Sequence, residues 1–229
     1  MAETDLTGLS EINALLGAGT EYEGKLVFQG RVRVDGRFVG EIRGSDVLIL
    51  GATADTTLVM AQPTRNLGAA VALTVDESTS ALLRFDLAAI PTTASVVSAS
   101  LTIWTMPGSS TPNSVEAFEL LEPWVEGTGT DIVVMEPASY NERLPGTVWS
   151  SPGASGASRG VRIAAVTPMT GDAPYTSQLA SVVVATWIAQ PSTNHGMVFD
   201  LNGNNDVLLV SRESPNTTKR PVLTVLYLP

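Results

Sequence analysis

Four oxygen-bearing side chains alternate along one segment near the C-terminus: Asp200, Asn202, Asn204 and Asp206. Calcium takes six to eight oxygen ligands, and a turn of this kind can supply several of them. The EF-hand pattern is incomplete, because Asn205 and Ser211 stand where its turn glycine and distal glutamate belong. Asn202-Gly203 between two apolar runs is also a strong signal for a β-hairpin. The sequence therefore favours a hairpin turn over a metal site here.

Carboxylates near a tryptophan are the other candidates for chemistry: Glu119, Glu122, Glu126 and Asp131. A glycosidase needs two carboxylates at a fixed separation across a cleft, and this linear spacing indicates no such pair. The chain has no cysteine, which excludes thiol nucleophiles, thiolate metal sites and disulfides. The chain has a single histidine, His195, which lies in a polar loop. A catalytic triad or a His-ligated metal site would therefore have to use this one residue. We expect a protein that is not an enzyme.

The four tryptophans are candidate platforms for stacking sugar rings. Trp104 and Trp187 lie in apolar patterns, which predicts a place in the core. Trp124 and Trp149 flank a segment rich in Gly, Pro, Ser and Thr. They are therefore the better candidates for ligand binding, with packing in the core as the alternative.

The charge balance is acidic, with 13 basic and 23 acidic residues and a formal net charge of −10. Such a surface repels phosphate backbones, so we expect no nucleic-acid partner. No apolar run is long enough to span a membrane. Residues 1–5 carry no basic region, and no long apolar run follows them, so we expect no secretion signal, which favours the cytoplasm.

Glycines punctuate residues 20–51 at short intervals: Gly24, Gly30, Gly36, Gly40, Gly44 and Gly51. Apolar residues alternate with polar ones between them, as expected for short strands separated by tight corners. A period near six residues is typical of a β-solenoid face, and a pair of ordinary β-hairpins is the alternative. The residues predicted to form the self-assembly core are Leu26, Phe28, Val32, Val34, Phe38, Ile42, Leu48 and Leu50.

Four arginines occupy the outward phase of the same segment: Arg31, Arg33, Arg37 and Arg43. We expect them to pair with Glu21, Glu23, Asp35 and Glu41 on stacked neighbours. Exposed ion pairs contribute little energy, but such charges can also set the register between protomers. Both interpretations stand.

The residues from Glu21 to Ile42, the ending Val47-Leu48-Ile49-Leu50-Gly51 and the preceding Asn13-Ala14-Leu15-Leu16-Gly17 closely resemble the opening repeats of the bactofilins. The resemblance implies a right-handed β-helix that polymerises end to end without nucleotide, as in the bactofilins, which are bacterial cytoskeletal proteins. It covers about 35 residues, fewer than two coils.

A stack of fewer than two coils leaves strand edges open at both ends. Solenoid repeats bury their apolar faces only against neighbours, and open edges template association. We therefore expect residues 20–51 to stack on copies of themselves or on the following domain, with self-association favoured. Residues 1–19 are expected to be a flexible tail with at most one amphipathic turn, formed by Leu9, Ile12, Leu15 and Leu16.

Residues 52–229 read as longer strands separated by Pro, Gly, Ser and Asn clusters, which predicts an antiparallel β-sandwich. One helix is predicted at 176–189, where Leu179, Val182, Val183 and Trp187 form an apolar stripe. The segment 122–160 is expected to be mostly loop. The predicted strands lie near 55–61, 70–75, 80–86, 96–105, 114–121, 161–166, 196–201, 206–212 and 221–228.

Several motifs of this region resemble the DNRLRE family over residues 53–228, and they fall in the right order. They are Leu82 to Pro91, Val96 to Trp104, Glu122 to Thr130, Trp149, Ser211-Arg212-Glu213-Ser214 and Arg220 to Tyr227. The resemblance implies a jelly-roll-like β-sandwich, common as an accessory domain of extracellular proteins and related to alginate-binding carbohydrate-binding modules. It favours an extracellular or released assembly, in contrast to the N-terminus.

The expected fold is thus all-β, a short right-handed β-solenoid segment followed by a jelly-roll-like antiparallel sandwich. The expected function is that of a self-assembling structural protein, a subunit of a filament, ring or sheath whose sandwich decorates the assembly. The alternative is a carbohydrate-binding module that recognises a polysaccharide and is clustered by the N-terminal segment. No cofactor is expected unless the 200–206 segment binds calcium.

Overall fold

The computed structural model describes residues 12–28, 30–44, 47–109, 114–130, 137–202 and 206–228, with the backbone alone at 43, 44 and 202. The described residues are mostly β, with 49% of them in strands, several sheets and one short α-helix. No solenoid or closed barrel is detected in this part of the chain. The predicted all-β class is confirmed at this level.

Five short strands alternate between two sheets before residue 52. The first, third and fifth pair in parallel, as do the second and fourth. Tyr22 lies opposite Phe38, and Val32 lies opposite Leu48, in each case sixteen positions further along the chain. Parallel pairing excludes two ordinary hairpins. We call these strands the N-terminal strand stack: β1 (Ile12–Leu16), β2 (Glu21–Phe28), β3 (Arg31–Val34), β4 (Arg37–Gly44) and β5 (Val47–Gly51).

The first strand of the stack corrects the expectation of an amphipathic turn. Residues 12–16 are extended and pair with β3, and the Asn13 side chain accepts a hydrogen bond from the backbone N–H of Arg31 at 2.8 Å. Pairing supplies the backbone hydrogen bonds that a single helical turn cannot sustain alone. Leu9 lies outside the described residues.

Residues 52–228, which we call the C-terminal unit, contain the remaining strands and the helix. All nine strands predicted there from sequence correspond to observed strands. The elements are β6 (Ala54–Val59), β7 (Ala72–Val75), β8 (Thr79–Arg84), β9 (Ser95–Trp104), β10 (Ser114–Leu120), β11 (Glu142–Leu144), β12 (Thr147–Val148), β13 (Arg159–Val166), β14 (Pro174–Gln178), α1 (Ser181–Ala189), β15 (Met197–Asn202), β16 (Val207–Val210) and β17 (Val222–Leu228).

One sheet crosses the predicted boundary at residue 51. Its order is β1-β3-β5-β17-β9-β14, and β17 pairs antiparallel with β5 on one side and with β9 on the other. The buried side chains of the stack and of the C-terminal unit belong to one hydrophobic cluster. The Tyr227 hydroxyl donates to the carbonyl of Ile42 at 3.1 Å within this core. The stack is therefore ordered against the following unit, the less favoured of the two expectations.

A second, antiparallel sheet in the order β13-β10-β15-β8-β6 is buried on both faces. Leu83 faces the main cluster, whereas the adjacent Leu82 joins a second cluster on the opposite face. That second cluster includes Trp124 and Trp149 from the long segment between β10 and β13. The segment is thus a cover for the sheet, and it contains the hairpin β11–β12.

The single helix of the described residues is shorter than predicted. Pro174–Gln178 forms β14, which pairs with β9, so the helix begins only at Ser181. Val182 is 73% exposed, while Val184 and Ile188 are buried. The buried face is therefore rotated from the stripe expected, because the helix packs on β9 with the face that carries residues 183, 184, 187 and 188.

Candidate functional site

The predicted self-assembly core lies inside the N-terminal strand stack. Leu26 and Phe38 are half-buried and pack against the main cluster, and the Phe38 ring stacks on Tyr22 at 5.1 Å between centroids. These side chains stabilise the stack within one chain and are not a free apolar surface. The buried members are Phe28, Val32, Val34, Ile42, Leu48 and Leu50.

The predicted register arginines make their visible contacts within the chain. Arg37 pairs with Glu21 across the β2–β4 pairing. Arg33 binds Asp35 two positions later, with 2.7 Å between Nε and Oδ2. The backbone N–H of Arg31 binds Asn13. The side chain of Arg43 lies outside the described atoms.

Two stacked glycines define the repeat of β2 and β4. Gly24 lies opposite Gly40, and both have positive φ angles, +141° and +137°. A Cβ on Gly40 would collide with the backbone of Gly24. For a Cβ on Gly24, the nearest described atoms belong to the Tyr22 side chain, at 3.6–3.8 Å, which is ordinary van der Waals contact. The backbone of Gly24 thus occupies the space beside Gly40, whereas no described strand occupies the equivalent space beside Gly24.

The two ends of the stack differ in what covers them. At the inner end, β5 pairs with β17, and the Ile42 backbone N–H of β4 donates to the carbonyl of Ala89 at 2.8 Å. At the outer end, no described strand pairs with the far edges of β1 and β2. Leu15 and Val27 on these two strands are 57% and 71% exposed. These two strand edges, which we call the outer edge, are the candidate interaction site.

The tryptophans expected to bind a ligand are buried. Trp124 and Trp149 are 2% and 3% exposed, and their indole N–H groups donate to the carbonyls of His195 and Ser139. They offer no open ring face, so their placement favours the packing alternative. Trp104, expected in the core, is instead half-buried under the ammonium of Lys219, 4.9 Å from the ring centroid.

The segment 200–206, for which the sequence favoured a hairpin turn over a metal site, is only partly described. The strands on either side of it, β15 and β16, pair with other strands and not with each other, so the hairpin expectation is wrong. Asp200 pairs with Arg159, whose guanidinium lies 2.5 Å from its carboxylate. Asp206 is exposed. Asn204 and the side chain of Asn202 lie outside the described atoms. The Arg159 pair already satisfies one carboxylate oxygen of the expected ligand set.

Glu122 has a structural role among the acidic residues near Trp124. It accepts hydrogen bonds from the backbone and hydroxyl of Ser150 and pairs with Arg143 at 3.3 Å. Burial would raise the pKa of Glu122, but hydrogen bonds from Ser158 and Ser150 and the charge of Arg143 hold it below its ordinary value. This is the reverse of the raised pKa that a general acid needs. Asp131 lies outside the described residues.

A carboxylate cluster, formed by the buried Asp55 and the half-buried Glu126 and Glu213, lies around Arg212. The Arg212 guanidinium is 2.7 Å from Glu126 and 2.8 Å from Glu213, and its backbone N–H donates to Oδ2 of Asp55 at 2.7 Å. The backbone N–H of Asp55 donates to Oε1 of Glu126 at 2.6 Å. The cluster therefore joins the start of β6, the segment after β10 and the turn after β16.

Burial dominates the electrostatics of this cluster. It raises the pKa of Asp55 well above its ordinary value, and the charge of Glu213 raises it further. Burial also raises the pKa of Glu126, although Asp55 N–H and Arg212 oppose it. For Arg212, burial would lower the pKa, but the carboxylates raise it above its ordinary value. Burial therefore destabilises the ionised forms of Asp55 and Glu126 relative to their protonated forms.

The members of this cluster are far apart along the chain, so the sequence does not predict that they meet. The sequence singled out Glu126 among the carboxylates near Trp124, and Glu126 and the Arg212-Glu213 pair both stand in segments that carry the DNRLRE resemblance. Asp55 lies just before a predicted strand and shows no pattern of its own.

Comparison with known proteins gives no relative: no family model matches the chain, and no curated protein matches it. Among the described residues, none of the helical segments is long and apolar enough to cross a membrane. The case for function therefore rests on the residues and their geometry.

Proposed function

We propose that this chain is a non-enzymatic structural protein that associates with copies of itself through the outer edge of the N-terminal strand stack. The observation that carries the proposal is the contrast between the two ends of the stack. At the inner end, β5 pairs with β17, and β4, which has no strand partner on that side, donates one hydrogen bond to Ala89; at the outer end, neither β1 nor β2 has a strand partner in the described chain. Unpaired backbone N–H and C=O groups along an edge are templates for another strand.

The proposed partner is a second copy, which would extend the alternating strands into a longer β-solenoid-like stack. Each added strand buries a further layer of the repeat and satisfies the edge. Because the C-terminal unit covers the inner end, this contact alone joins two chains. A filament, ring or sheath then needs a second contact elsewhere on the C-terminal unit, which decorates the outside.

The sequence of β2 suits a two-fold contact with itself. An antiparallel pairing centred on Gly24 would place Glu23 of each copy opposite Lys25 of the other. Opposite charges directly across a strand pair are favourable, and a two-fold interface repeats each such pair twice. Lys25 is within 3.5 Å of Glu41, but both side chains are exposed, so that pair holds Lys25 weakly.

Sedimentation velocity over a wide range of protein concentration tests the proposal. We expect the full chain to associate reversibly, and Leu15→Lys with Val27→Lys to sediment as a monomer, since lysine on an edge opposes strand pairing. Val161→Lys is the matched control, because Val161 is 59% exposed on β13, an edge strand of the other sheet. A chain that stays monomeric at high concentration, or a control that dissociates equally, would overturn the proposal.

Polysaccharide binding is the second candidate, and one groove favours it. A groove of about 600 Å³ beside β6 is lined by Arg65, by threonines such as Thr57 and Thr74, and by apolar residues such as Leu67 and Val71. Arg65 supplies a positive charge that suits an anionic glycan. It has no aromatic platform. Pull-down on uronate polymers with the full chain and with Arg65→Gln tests it, and equal retention of both would exclude this groove.

A further inference from the structure

Two oxygens of the carboxylate cluster lie in the protein interior without a hydrogen-bond donor. Oδ1 of Asp55, a fully buried residue, and Oε2 of Glu213 have no partner among the described residues. The Asp55 carboxyl is within hydrogen-bonding reach of the Glu213 carboxyl. Two ionised carboxylates cannot donate to each other, so a positive charge has to lie between them.

The nearby cations leave the cluster short of positive charge. Among the described residues, Arg212 is the one direct ion-pair partner of the three carboxylates, through Glu126 and Glu213. The next guanidinium, that of Arg84, acts on Glu126 at longer range but donates to the carbonyl of Trp124 at 3.2 Å. A proton on Asp55 would cancel one of the two negative charges that Arg212 leaves, whereas a divalent cation would cancel both.

The chemistry and the burial of the oxygens select among divalent cations. Each residue offers one carboxylate oxygen, and the three oxygens lie within 4.8 Å of one another, close enough to share one ion. Calcium accepts flexible sets of protein oxygens, whereas magnesium gives up its waters reluctantly and demands a near-ideal octahedron, so a site in the protein interior favours calcium. The ligand set contains no nitrogen or sulfur, which disfavours zinc.

We propose that Asp55, Glu126 and Glu213 bind one calcium ion, which replaces a proton on Asp55. The unpartnered Asp55 Oδ1 and Glu213 Oε2 are its first two ligands, and a Glu126 oxygen is the third. The ion ties the start of β6 to the segments that follow β10 and β16, so its effect is on the stability of the C-terminal unit. The site is independent of the outer edge.

The test uses the full chain, freed of metal with a chelator and then dialysed. Thermal unfolding is followed with added CaCl2, and with MgCl2 at the same ionic strength. We expect calcium to raise the midpoint by several degrees and magnesium to have a much smaller effect. Calorimetric titration in buffers of different ionisation enthalpy should show one calcium bound per chain and release of a proton.

Asp55→Asn and Glu213→Gln should each abolish the calcium response. Two variants are used so that the test still stands if one of them does not fold. Asp200→Asn is the matched control, since Asp200 belongs to the other acidic segment, and it should keep the full response. Binding that survives both cluster variants, or is lost in Asp200→Asn, would overturn the proposal. So would a wild-type chain that does not respond to calcium, which would leave the shared proton as the neutralising charge.

Discussion

Gly40 packs directly against the carbonyl of Gly24 on the neighbouring strand, and the two residues share the same positive-φ conformation. Gly24 occupies the equivalent position on the outermost described strand of that sheet. One glycine is thus fixed by its neighbour within the chain, and the other presents the same backbone shape at the outer edge.

Alanine substitutions at the two glycines should differ in cost. Gly40→Ala combines an unfavourable φ with a collision against backbone, so we expect a loss of about 3 kcal/mol or more in the free energy of unfolding. Gly24→Ala has the φ strain alone, about 1–3 kcal/mol. Urea unfolding of dilute protein measures both, and equal losses would show that strand stacking does not set the requirement at Gly40.

The Tyr227 hydroxyl should link the stack to the C-terminal unit measurably. It donates to Ile42, so Tyr227→Phe leaves a buried carbonyl with one partner fewer, and we expect a loss of about 1–2 kcal/mol. Burial also raises the pKa of Tyr227 to about 12. The folded chain then keeps a proton that the unfolded chain loses above about pH 10, so stability should fall as pH rises from 10 to 12.

Unfolding of the wild type and of Tyr227→Phe across that pH range separates the two effects. The variant should lack the part of the alkaline loss that belongs to this hydroxyl. Parallel pH profiles for both proteins would contradict the assignment.

Asp55 should make stability fall with rising pH when calcium is removed. Burial raises its pKa in the folded chain, so the folded state holds a proton that the unfolded state releases above its ordinary pKa near 4. The stabilising contribution is complete below that value and is lost as pH rises through the folded pKa. Asp55→Asn has no such proton, so its stability, measured in chelator, should lack this decline. A profile identical to the wild type would contradict the raised pKa.

Trp149 should prove structural. The ring is buried and its N–H is bonded to Ser139, so Trp149→Ala should cost about 3–5 kcal/mol. Trp149→Phe should recover much of this loss, since it keeps most of the apolar volume. A variant that loses glycan retention while its unfolding midpoint stays unchanged would restore the ligand-binding hypothesis.

The pattern of alternating residues and glycine spacing predicted much of the fold. Val32 and Val34 are buried while Arg31 is exposed, as period-two alternation requires. Nine of the twelve strands described after residue 52 were also predicted at their positions in the chain, whereas β11, β12 and β14 were not. These features depend on local sequence, which a single chain reveals.

Features that depend on distant contacts were not recovered. Nothing in Val47–Gly51 reveals that it pairs with Val222–Leu228, because edge pairing depends on which strand arrives beside it. For the same reason, the sequence predicts Trp124 and Trp149 as ligand platforms beside a loop. In the structure they pack on the second face of the antiparallel sheet. Asp55, Glu126 and Glu213 meet only after folding, so their shared site had no linear signature.

Mixed disulfide formation between two single-cysteine variants tests the central claim most directly. The chain has no cysteine, so Glu23→Cys and Lys25→Cys can form only intermolecular bonds. Directly opposed strand residues have Cα atoms about 4.5–5.5 Å apart, within disulfide range. An equimolar mixture should form the mixed disulfide faster than either variant forms its own. A rate no higher than that of Val161→Cys, on the edge strand β13, would contradict association through the outer edge.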